Sequence, residues 1–370
     1  MKPLRLFSAT EQVAEALRNN LINGHWSGTL PGIYQLANEL GVSRRLVEGA
    51  VALLEKQGLL IPQGAGKNRT IALPEKHTFR KVLIKILLYE DLDRHVQRFL
   101  QLQSSLTQAG FSAIFAKKTL LDLDMDVKQV AKFVENTEAD AWIVVAGSKN
   151  VLEWFSLQHR PAFAWFGRMG SGSIKLASTY PVKSPALKEV INLLIEQGRT
   201  RIVMLVREER LIPSPGCLER FFLEELKQQG IAASSYNLPF WSNDKEDFHR
   251  CLDSLFHLTP PTALIIDEAS LFWSAVQQLA EKGILSPRDI SLVCLDPDPT
   301  FTWARPDVAH IHWDTKPMIR QILRWAEHVQ RGEDYRKTTR IKAKLHRGGT
   351  VGKGPDQEAV NKILKRPSGK

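Results

Sequence analysis

Two short basic segments near the start of the chain carry residue types that bind a polyanion. Ser43, Arg44 and Arg45 open a helical pattern whose other face is apolar, and Lys67 and Arg69 follow a glycine-rich stretch. Cationic side chains on the first turn of a helix can bond base edges in the major groove, and the helix N-terminus itself favours phosphate. Either segment alone is typical of a solvated surface, but the two in this order predict contact with double-stranded DNA.

The elements that must position these residues are three helices and a hairpin. Helical periodicity predicts a first helix that ends at Gly24, a second from about Gly32 to Leu40, and a third that Ser43 caps. The stretch "LLIPQGAGKNRTIAL" has apolar, strand-like ends around a glycine-rich basic tip, which is typical of a β-hairpin. This order predicts a winged helix-turn-helix domain over residues 1–75.

The stretch "LPGIYQLANELGVSRRLVEGAVALLEKQGLLIPQGAGK" resembles the winged-helix DNA reader of the GntR family of bacterial transcription regulators. The resemblance rests on Leu30-Pro31, Leu36-Ala37, Gly41-Val42-Ser43-Arg44, Leu54-Glu55 and Gly58-Leu59. It implies DNA contacts at the start of the third helix and along the hairpin tip. With the basic residues beside them, the predicted DNA-binding set is Tyr34, Ser43, Arg44, Arg45, Gly64, Gly66, Lys67 and Arg69.

Two positions depart from the pattern of that family. Tyr34 stands where the family usually has an arginine at the opening of the second helix, and Glu48 stands where it has another inside the recognition helix. Losing one cation and gaining an anion should either weaken phosphate contact or change the bases that are read, and Arg45 can compensate part of the loss. The operator sequence stays undetermined.

Length and charge constrain the rest of the chain. A chain of 370 residues is too long for one ordinary core, which predicts two or three domains. The net charge of +10 lies at the ends, because residues 1–77 hold nine Lys/Arg against six Asp/Glu and residues 340–370 hold nine against two. Residues 348–370 have the composition of a flexible basic tail.

Beyond a polar linker at Pro74–Lys81, strand-like runs alternate with helical stretches, which predicts parallel sheets with helices on both faces. The expected strands are Val82–Leu88, Ala113–Ala116, Trp142–Ala146, Ala162–Phe166, Ile202–Val206, Ala263–Ile266, Ser291–Leu295 and Ala309–His312. The expected helices are Asp93–Ala109, Val127–Glu135, Ser184–Gln197, Leu218–Gln229, Lys245–Phe256, Leu271–Lys282 and Pro317–Arg331. A break near Ser178–Ser184 predicts two lobes with a ligand cleft at the carboxyl ends of their strands.

Residues 82–347 resemble the effector domain of LacI-type repressors, which is related to periplasmic sugar-binding proteins. The similar stretches are "EQGRTRIVMLV", "CLERFFLEEL", "PTALIIDEA" and "PRDISLVCLDPDP". The resemblance implies a two-lobed, doubly wound α/β domain like a periplasmic binding protein, with a small-molecule effector, expected to be a sugar or sugar derivative, bound between the lobes. It places a donor at Arg220 and acceptors at Asp267 and Asp296.

An aromatic plate is also expected, because the C–H face of a sugar ring packs on aromatic rings. Trp241 in "LPFWSND" is the first candidate; Trp273 and Phe301, and more loosely Trp165 and Trp303, are others. The alternative role of these aromatic residues is core packing, and strand-end aspartates often only cap helices. Both alternatives stay open.

The body also departs from its family. Ser184 is expected to cap a helix where the family has an aspartate nearby, Ile266 replaces an asparagine, and Pro297 replaces the second of two aspartates. Each change removes a polar group from the expected pocket. Either the effector is less polar or differently arranged than a simple monosaccharide, or the pocket is degenerate.

Together these patterns predict a cytoplasmic, ligand-responsive transcription regulator that binds operator DNA as a homodimer. The alternative is a DNA-binding regulator with a degenerate pocket, which acts constitutively or through a protein partner. No GxSxG, GxGxxG, P-loop or HExxH pattern occurs, so no enzyme activity, catalytic residue, cofactor or metal is predicted. Three cysteines without metal-like spacing, and no apolar run of membrane-span length, favour a reduced compartment and no membrane partner.

Overall fold

The computed structural model describes residues 8–22, 25–26, 28–64, 67–72, 81–167, 174–212, 214–257 and 259–354. Gly66, linker residues 74–80 and the tail beyond residue 354 lie outside these ranges. Within the described part, none of the helices combines the length and the apolar character that a membrane span requires.

Three helices open the described chain: α1 (Ala9–Ile22), α2 (Ile33–Leu40) and α3 (Arg44–Lys56). Their apolar faces share one core, which contains Leu17, Leu21, Leu36, Val47, Ala50, Val51 and Leu54. Gly41 ends α2 with a left-handed backbone at φ 62°, a conformation that favours glycine and turns the chain towards α3. The second and third helices therefore lie where the periodicity predicts them.

The predicted side-chain cap at Ser43 is wrong. Ser43 has the extended backbone of an N-cap residue, but its hydroxyl makes no capping hydrogen bond. The first turn is closed instead through the backbone, because the Ser43 carbonyl oxygen accepts from the N–H of Leu46 at 3.0 Å.

A two-stranded antiparallel hairpin follows α3. Its strands are β1 (Leu60–Ile61) and β2 (Thr70–Ile71), and Leu60 pairs with Ile71. The chain before α2 joins this hairpin, since the N–H of Leu30 donates to the carbonyl oxygen of Arg69 at 2.9 Å. Leu30 and Leu60 are buried in the same core as the three helices.

Strands and helices mostly alternate from residue 83 to residue 346. The first group is β3 (Leu83–Leu87), α4 (Gln97–Gln108), β4 (Ser112–Phe115), α5 (Val127–Glu135), β5 (Ala141–Val145), α6 (Lys149–Ser156), β6 (Ala162–Trp165) and β7 (Ala177–Val182). The second group is α7 (Ser184–Glu196), β8 (Ile202–Arg207), α8 (Cys217–Gln228), β9 (Phe240–Trp241), α9 (Lys245–Ser254), β10 (Ala263–Ile266), α10 (Ala269–Glu281), β11 (Ser291–Cys294), β12 (Ala309–His312), α11 (Lys316–Gln330), β13 (Thr338–Lys342) and β14 (Lys344–His346).

These strands form two six-stranded sheets. One has the order β13-β7-β6-β5-β3-β4 and the other the order β14-β12-β11-β10-β8-β9. The pairs β3–β4, β3–β5, β8–β10, β10–β11 and β11–β12 are all parallel. The predicted parallel α/β architecture is confirmed, and the chain divides into two compact units: 1–163 with 168–175 and 323–335, and 164–167 with 176–322 and 336–370.

The expected start of the flexible tail, at residue 348, is too early. Thr350 is buried in the second unit, where its hydroxyl donates to the carbonyl oxygen of Leu292 at 2.7 Å. The buried guanidinium of Arg199 donates to the carbonyl oxygens of Gly352 and Lys353 at 3.0 and 2.8 Å. A Cβ on Gly348 would lie 2.3 Å from the backbone nitrogen of Ala309, so only glycine fits there.

Candidate functional site

The first turn of α3 presents two arginines to solvent, and one of them is held by neighbouring side chains. Arg44 donates from Nε to Oε1 of Glu48 at 2.7 Å and from Nη1 to the hydroxyl of Tyr34. Its guanidinium also lies over the Tyr34 ring, 4.6 Å from the centroid. The two residues that depart from the resembled family thus contact the same arginine.

The other basic residues of this segment differ in their surroundings. Arg45 and Lys67 are exposed, and within the described part of the chain neither side chain makes a hydrogen bond or an ion pair. Arg69 is instead paired with Glu55, Nε to Oε1 at 2.5 Å, which ties the hairpin to α3. Gly64 lies at the hairpin tip with φ 102°, and Ser43 is exposed.

A second group of charged residues meets at the carboxyl ends of strands in the second unit. Asp267 directly follows β10, Asp296 lies just beyond β11, Lys183 directly follows β7, and Arg210 lies in the turn after β8. We call these four residues and Glu219 of α8 the charged cluster. The carboxyl ends of parallel strands gather side chains that are far apart in sequence at one edge.

Every member of the charged cluster contacts another member. The Nζ of Lys183 lies 2.6 Å from Oδ1 of Asp296 and 3.5 Å from Oδ1 of Asp267. Arg210 donates from Nη1 to Oδ2 of Asp267 and from Nε to Oε1 of Glu219, the latter at 2.5 Å. The cluster therefore combines two cations with three carboxylates.

The electrostatics of the cluster favour charged side chains. Burial would raise the pKa of Asp267, but Arg210 and Lys183 outweigh it and hold that pKa at about 2. Burial likewise would lower the pKa of Lys183, but Asp296 and Asp267 raise it above the usual lysine value. Asp267 and Lys183 are consequently ionised at neutral pH.

Two polar atoms around the cluster lack a hydrogen-bond partner among the described residues. Oδ1 of Asp267 is a buried acceptor that has only its 3.5 Å ion pair with Lys183, and Nε1 of Trp313 is a buried donor without an acceptor. The ring of Trp313 lies beside the cluster, with the Nζ of Lys183 5.0 Å from its centroid. Buried polar atoms usually have partners, so a ligand or water that both donates and accepts suits this position.

Of the predicted effector residues, the structure brings together only Asp267 and Asp296. Arg220 is exposed on the first turn of α8, where Nη1 donates to the carbonyl oxygen of Pro215 at 3.1 Å and Nη2 approaches Sγ of Cys217 at 3.4 Å. The guanidinium at Asp267 belongs to Arg210 instead. Arg210 lies in the charged turn "REER", which sequence reasoning passed over.

Lys183 was also missed, although its position carries a signal. Helix α7 begins at Ser184, and Lys183 is the residue before it. Ser184 is therefore the first helical residue and not the predicted cap. A basic residue between a strand and a helix start lies where a strand-end site would be, and this is the signal that could have identified it.

The predicted aromatic plates pack within the second unit. Trp241 is 5% exposed. Its ring packs edge-to-face with Phe248, with 5.2 Å between the ring centroids, and the guanidinium of Arg207 lies 4.7 Å from the Trp241 centroid. Phe301 is buried against Phe272 at 5.5 Å, and Trp273 donates from Nε1 to Oγ1 of Thr300 at 3.1 Å. Of the looser candidates, Trp165 is fully buried and Trp303 is exposed. Trp313, which was not among the candidates, has its ring in contact with Lys183 of the cluster.

No group of three or more His, Cys, Asp or Glu side chains in the described ranges is arranged to hold a metal ion. His310 and His312 lie on one face of β12, with His346 of β14 at 4.8 Å from His310, ring centroid to ring centroid. Nε2 of His346 donates to Oδ2 of Asp307 at 2.6 Å.

Comparison with known proteins agrees with this architecture. Residues 191–351 match the family model of the periplasmic binding protein-like domain. No curated protein sequence matches the chain significantly.

Solved structures with the same fold include several transcription regulators. A LacI-type transcription regulator from Bifidobacterium animalis is 16% identical with a TM-score of 0.60, covering 73% of this chain and 99% of that chain. Transcription regulator CcpA of Lactococcus lactis is 13% identical with a TM-score of 0.59, covering 74% and 100%. A LacI family regulator from Enterococcus faecium with bound ribose is 14% identical with a TM-score of 0.57, covering 73% and 98%. At this identity the similarity establishes the fold of the body.

Proposed function

We propose that this protein is a ligand-responsive bacterial transcription regulator whose first three helices and hairpin bind double-stranded operator DNA. The observation that carries the proposal is the first turn of α3, where Arg44 and Arg45 are both exposed directly after the Gly41 turn. In a helix-turn-helix motif the first residues of the recognition helix, which is α3 in this chain, lie against base edges. With the hairpin behind α3, the segment fits the winged-helix reader of the GntR type.

The proposal gives the basic residues different tasks. Arg44 reads bases, because Glu48 and Tyr34 orient its guanidinium. The exposed side chains of Ser43, Arg45 and Lys67 contact phosphates. Gly64 allows the hairpin tip to approach the backbone of the duplex, and for Gly66, outside the described residues, this role stays a prediction. Arg69 supports the hairpin through Glu55 and contributes to DNA binding only indirectly.

We propose the charged cluster of the second unit as the effector site, and a sugar or sugar derivative as the effector. Oδ1 of Asp267 is a buried acceptor with only the 3.5 Å ion pair to Lys183, and Trp313, whose ring Lys183 contacts, has a buried donor that makes no hydrogen bond among the described residues. Sugar hydroxyls both donate and accept hydrogen bonds, so they suit this pair. Support comes also from the fold shared with a regulator that holds ribose.

One observation favours a second candidate, in which the pocket binds no effector. Lys183 lies 2.6 Å from Asp296, and Arg210 contacts both Asp267 and Glu219. These charged groups already satisfy one another, so the cluster is stable without a ligand. In that case the protein binds DNA constitutively or responds to a protein partner.

The regulatory step that we propose is a population shift. An effector that binds one conformation more tightly than another changes DNA affinity through that difference, and DNA changes effector affinity by the same factor. A two-fold dimer would read half-sites separated by about one helical turn of DNA, ~34 Å, or a multiple of it.

DNA binding is tested by fluorescence anisotropy with the full-length protein and labelled duplexes from its own promoter region at low salt. We expect tighter binding than to a scrambled duplex of the same length. The double variant Arg45→Ala/Lys67→Ala should weaken binding to both duplexes, whereas Lys128→Ala, an exposed lysine on α5, should not. Absence of binding to every duplex would overturn the proposal.

Effector binding is tested by thermal shift and calorimetry against a panel of sugars, sugar phosphates and sugar acids. A stabilising ligand that no longer acts on Asp267→Asn, but still acts on the exposed-residue control Glu224→Gln, would support the charged cluster as the site. A wild-type protein that binds its operator but responds to no compound would favour the second candidate.

A further inference from the structure

The side chain of Arg44 is fixed at both ends by residues from two different helices. Glu48, one turn further along α3, accepts from Nε at 2.7 Å, and Tyr34 of α2 accepts from Nη1. The Tyr34 ring also supports the guanidinium from one face at 4.6 Å. The orientation of this arginine is therefore set before any DNA arrives.

The contacts leave specific donors and acceptors for a partner. Among the described residues, Nη2 of Arg44 makes no hydrogen bond, and Nη1 uses only one of its two hydrogens. The two terminal nitrogens therefore keep a donor fork, which fits O6 and N7 of guanine. Glu48 keeps Oε2 as an acceptor, and a glutamate in the major groove accepts from N4 of cytosine.

We propose that Arg44 and Glu48 together read one G·C base pair, and that Tyr34 positions Arg44 for this task. Arg44 donates to the guanine, and Glu48 accepts from the amino group of its cytosine partner. Guanine O6 and cytosine N4 lie side by side in the major groove, as the bonded Arg44 and Glu48 side chains do in α3. This inference rests on the proposed DNA-binding function and adds the base that is read.

The partial exposure of both side chains leaves the Arg44–Glu48 pair accessible to DNA. The side chain of Arg44 is 55% exposed and that of Glu48 is 42% exposed. Exposed pairs of this kind contribute little to stability, so a stabilising role alone does not account for the pair. Left without a base to accept from, Glu48 would only repel phosphates in a helix otherwise suited to DNA.

The inference is tested by selection of the full-length protein on a randomised duplex library. The wild type should fix a G·C pair at one position in each half-site. Glu48→Ala should lower discrimination at that pair by about 5- to 150-fold while leaving affinity for scrambled DNA equal or higher. Glu48→Gln should shift the preference at that position towards adenine, because an amide pairs with adenine N6 and N7.

Two further variants separate positioning from general stability. Tyr34→Phe removes the hydroxyl but keeps the ring, so it should reduce discrimination at the same pair only, with an unchanged melting temperature. Glu39→Ala removes an exposed carboxylate on α2 that bonds Gln35 at 2.9 Å, and it should leave every base preference unchanged.

The outcomes distinguish this inference from the proposed function. A wild type that selects an operator, together with Glu48 variants that keep the same G·C preference, would overturn the base-reading role alone. A wild type that shows no affinity for any duplex would overturn the DNA-binding function and the inference with it.

Discussion

The Arg44–Glu48 pair of α3 and the charged cluster of the second unit join the same kinds of groups in opposite surroundings. In α3 the guanidinium and carboxylate are both about half exposed. In the cluster, Lys183, Asp267 and Asp296 are each less than a fifth exposed. Water competes with the first pair much more than with the second, so the first stays accessible to DNA, whereas loss of one partner in the second would leave an uncompensated buried charge.

The largest expected effect is a loss of stability when a carboxylate of the buried charged cluster is removed. Asp267→Ala leaves Arg210 and Lys183 with fewer counter-charges in a largely buried position, and it should lower the free energy of unfolding of the second unit by about 3–5 kcal/mol. Urea denaturation followed by tryptophan fluorescence measures this. Asp267→Asn keeps the volume and serves as the control for packing. If Asp267→Ala lowers the free energy of unfolding no more than a substitution at an exposed site does, the contrast between the buried cluster and the exposed pair is wrong.

Substitution in the exposed Arg44–Glu48 pair should instead change DNA affinity and leave stability unchanged. Arg44→Ala should raise the dissociation constant for the operator by about 5- to 150-fold, because one bidentate base contact is lost. Its melting temperature should stay within about 1 °C of the wild type, since exposed substitutions rarely change stability. Fluorescence anisotropy and thermal denaturation on the same preparation make the comparison. Unchanged affinity would remove Arg44 from the base-reading set.

The response to pH sharpens the comparison within the second unit. Asp267 keeps its charge near neutrality because its pKa is about 2, so it causes no change in stability there. The pKa of His312 lies below 6.5, chiefly because the ring is partly buried, and the nearby His346 and Lys344 lower it further. Burial also lowers the pKa of His310 below 6.5, although Val308 and Asp307 act in the opposite direction. The unfolded chain therefore binds more protons, and stability should fall as pH decreases below 6.5.

The double variant His310→Gln/His312→Gln tests this expectation. Its melting temperature should change less than that of the wild type between about pH 7.5 and 5.5, because the groups whose protonation opposes folding are gone. Parallel pH curves for the two proteins would show that other groups cause the dependence.

The smallest expected effect concerns a phosphate contact. Lys67→Ala should lower the slope of log K against log salt by about one and weaken binding equally for operator and scrambled DNA. Titrations at several salt concentrations measure the slope. A loss confined to the operator would assign Lys67 to base reading and weaken the distinction between it and Arg44.

Local patterns predicted most of the elements but missed several strands. The bounds of α5, β10 and β12 agree with the sequence analysis, because each has a clear apolar period or run. Strands β7, β9, β13 and β14 were not predicted. Strand β9 has only two residues, and the others mix apolar residues with small, polar or charged ones, as in "ASTYPV" and "TTRIK", so sheet pairing rather than a continuous apolar run places them.

The candidate sites differ in how far the sequence could identify them. Arg44 and Arg45 lie on consecutive positions of one helix, so local spacing alone places them together. The sequence also marked Tyr34 and Glu48 as unusual, but not that both contact Arg44, because that contact depends on how α2 packs beside α3.

The amino-acid sequence by itself determined most of the helices and strands, the basic first turn of α3 and the strand-end aspartates, since these follow from residue types at short range. Only the tertiary structure decided that Lys183 and Arg210, and not Arg220, meet Asp267 and Asp296. Lys183 and Asp296 are 113 positions apart. Their contact arises from the packing of strands and the turns that follow them, and hydrophobic periodicity carries no information about which strand ends become neighbours.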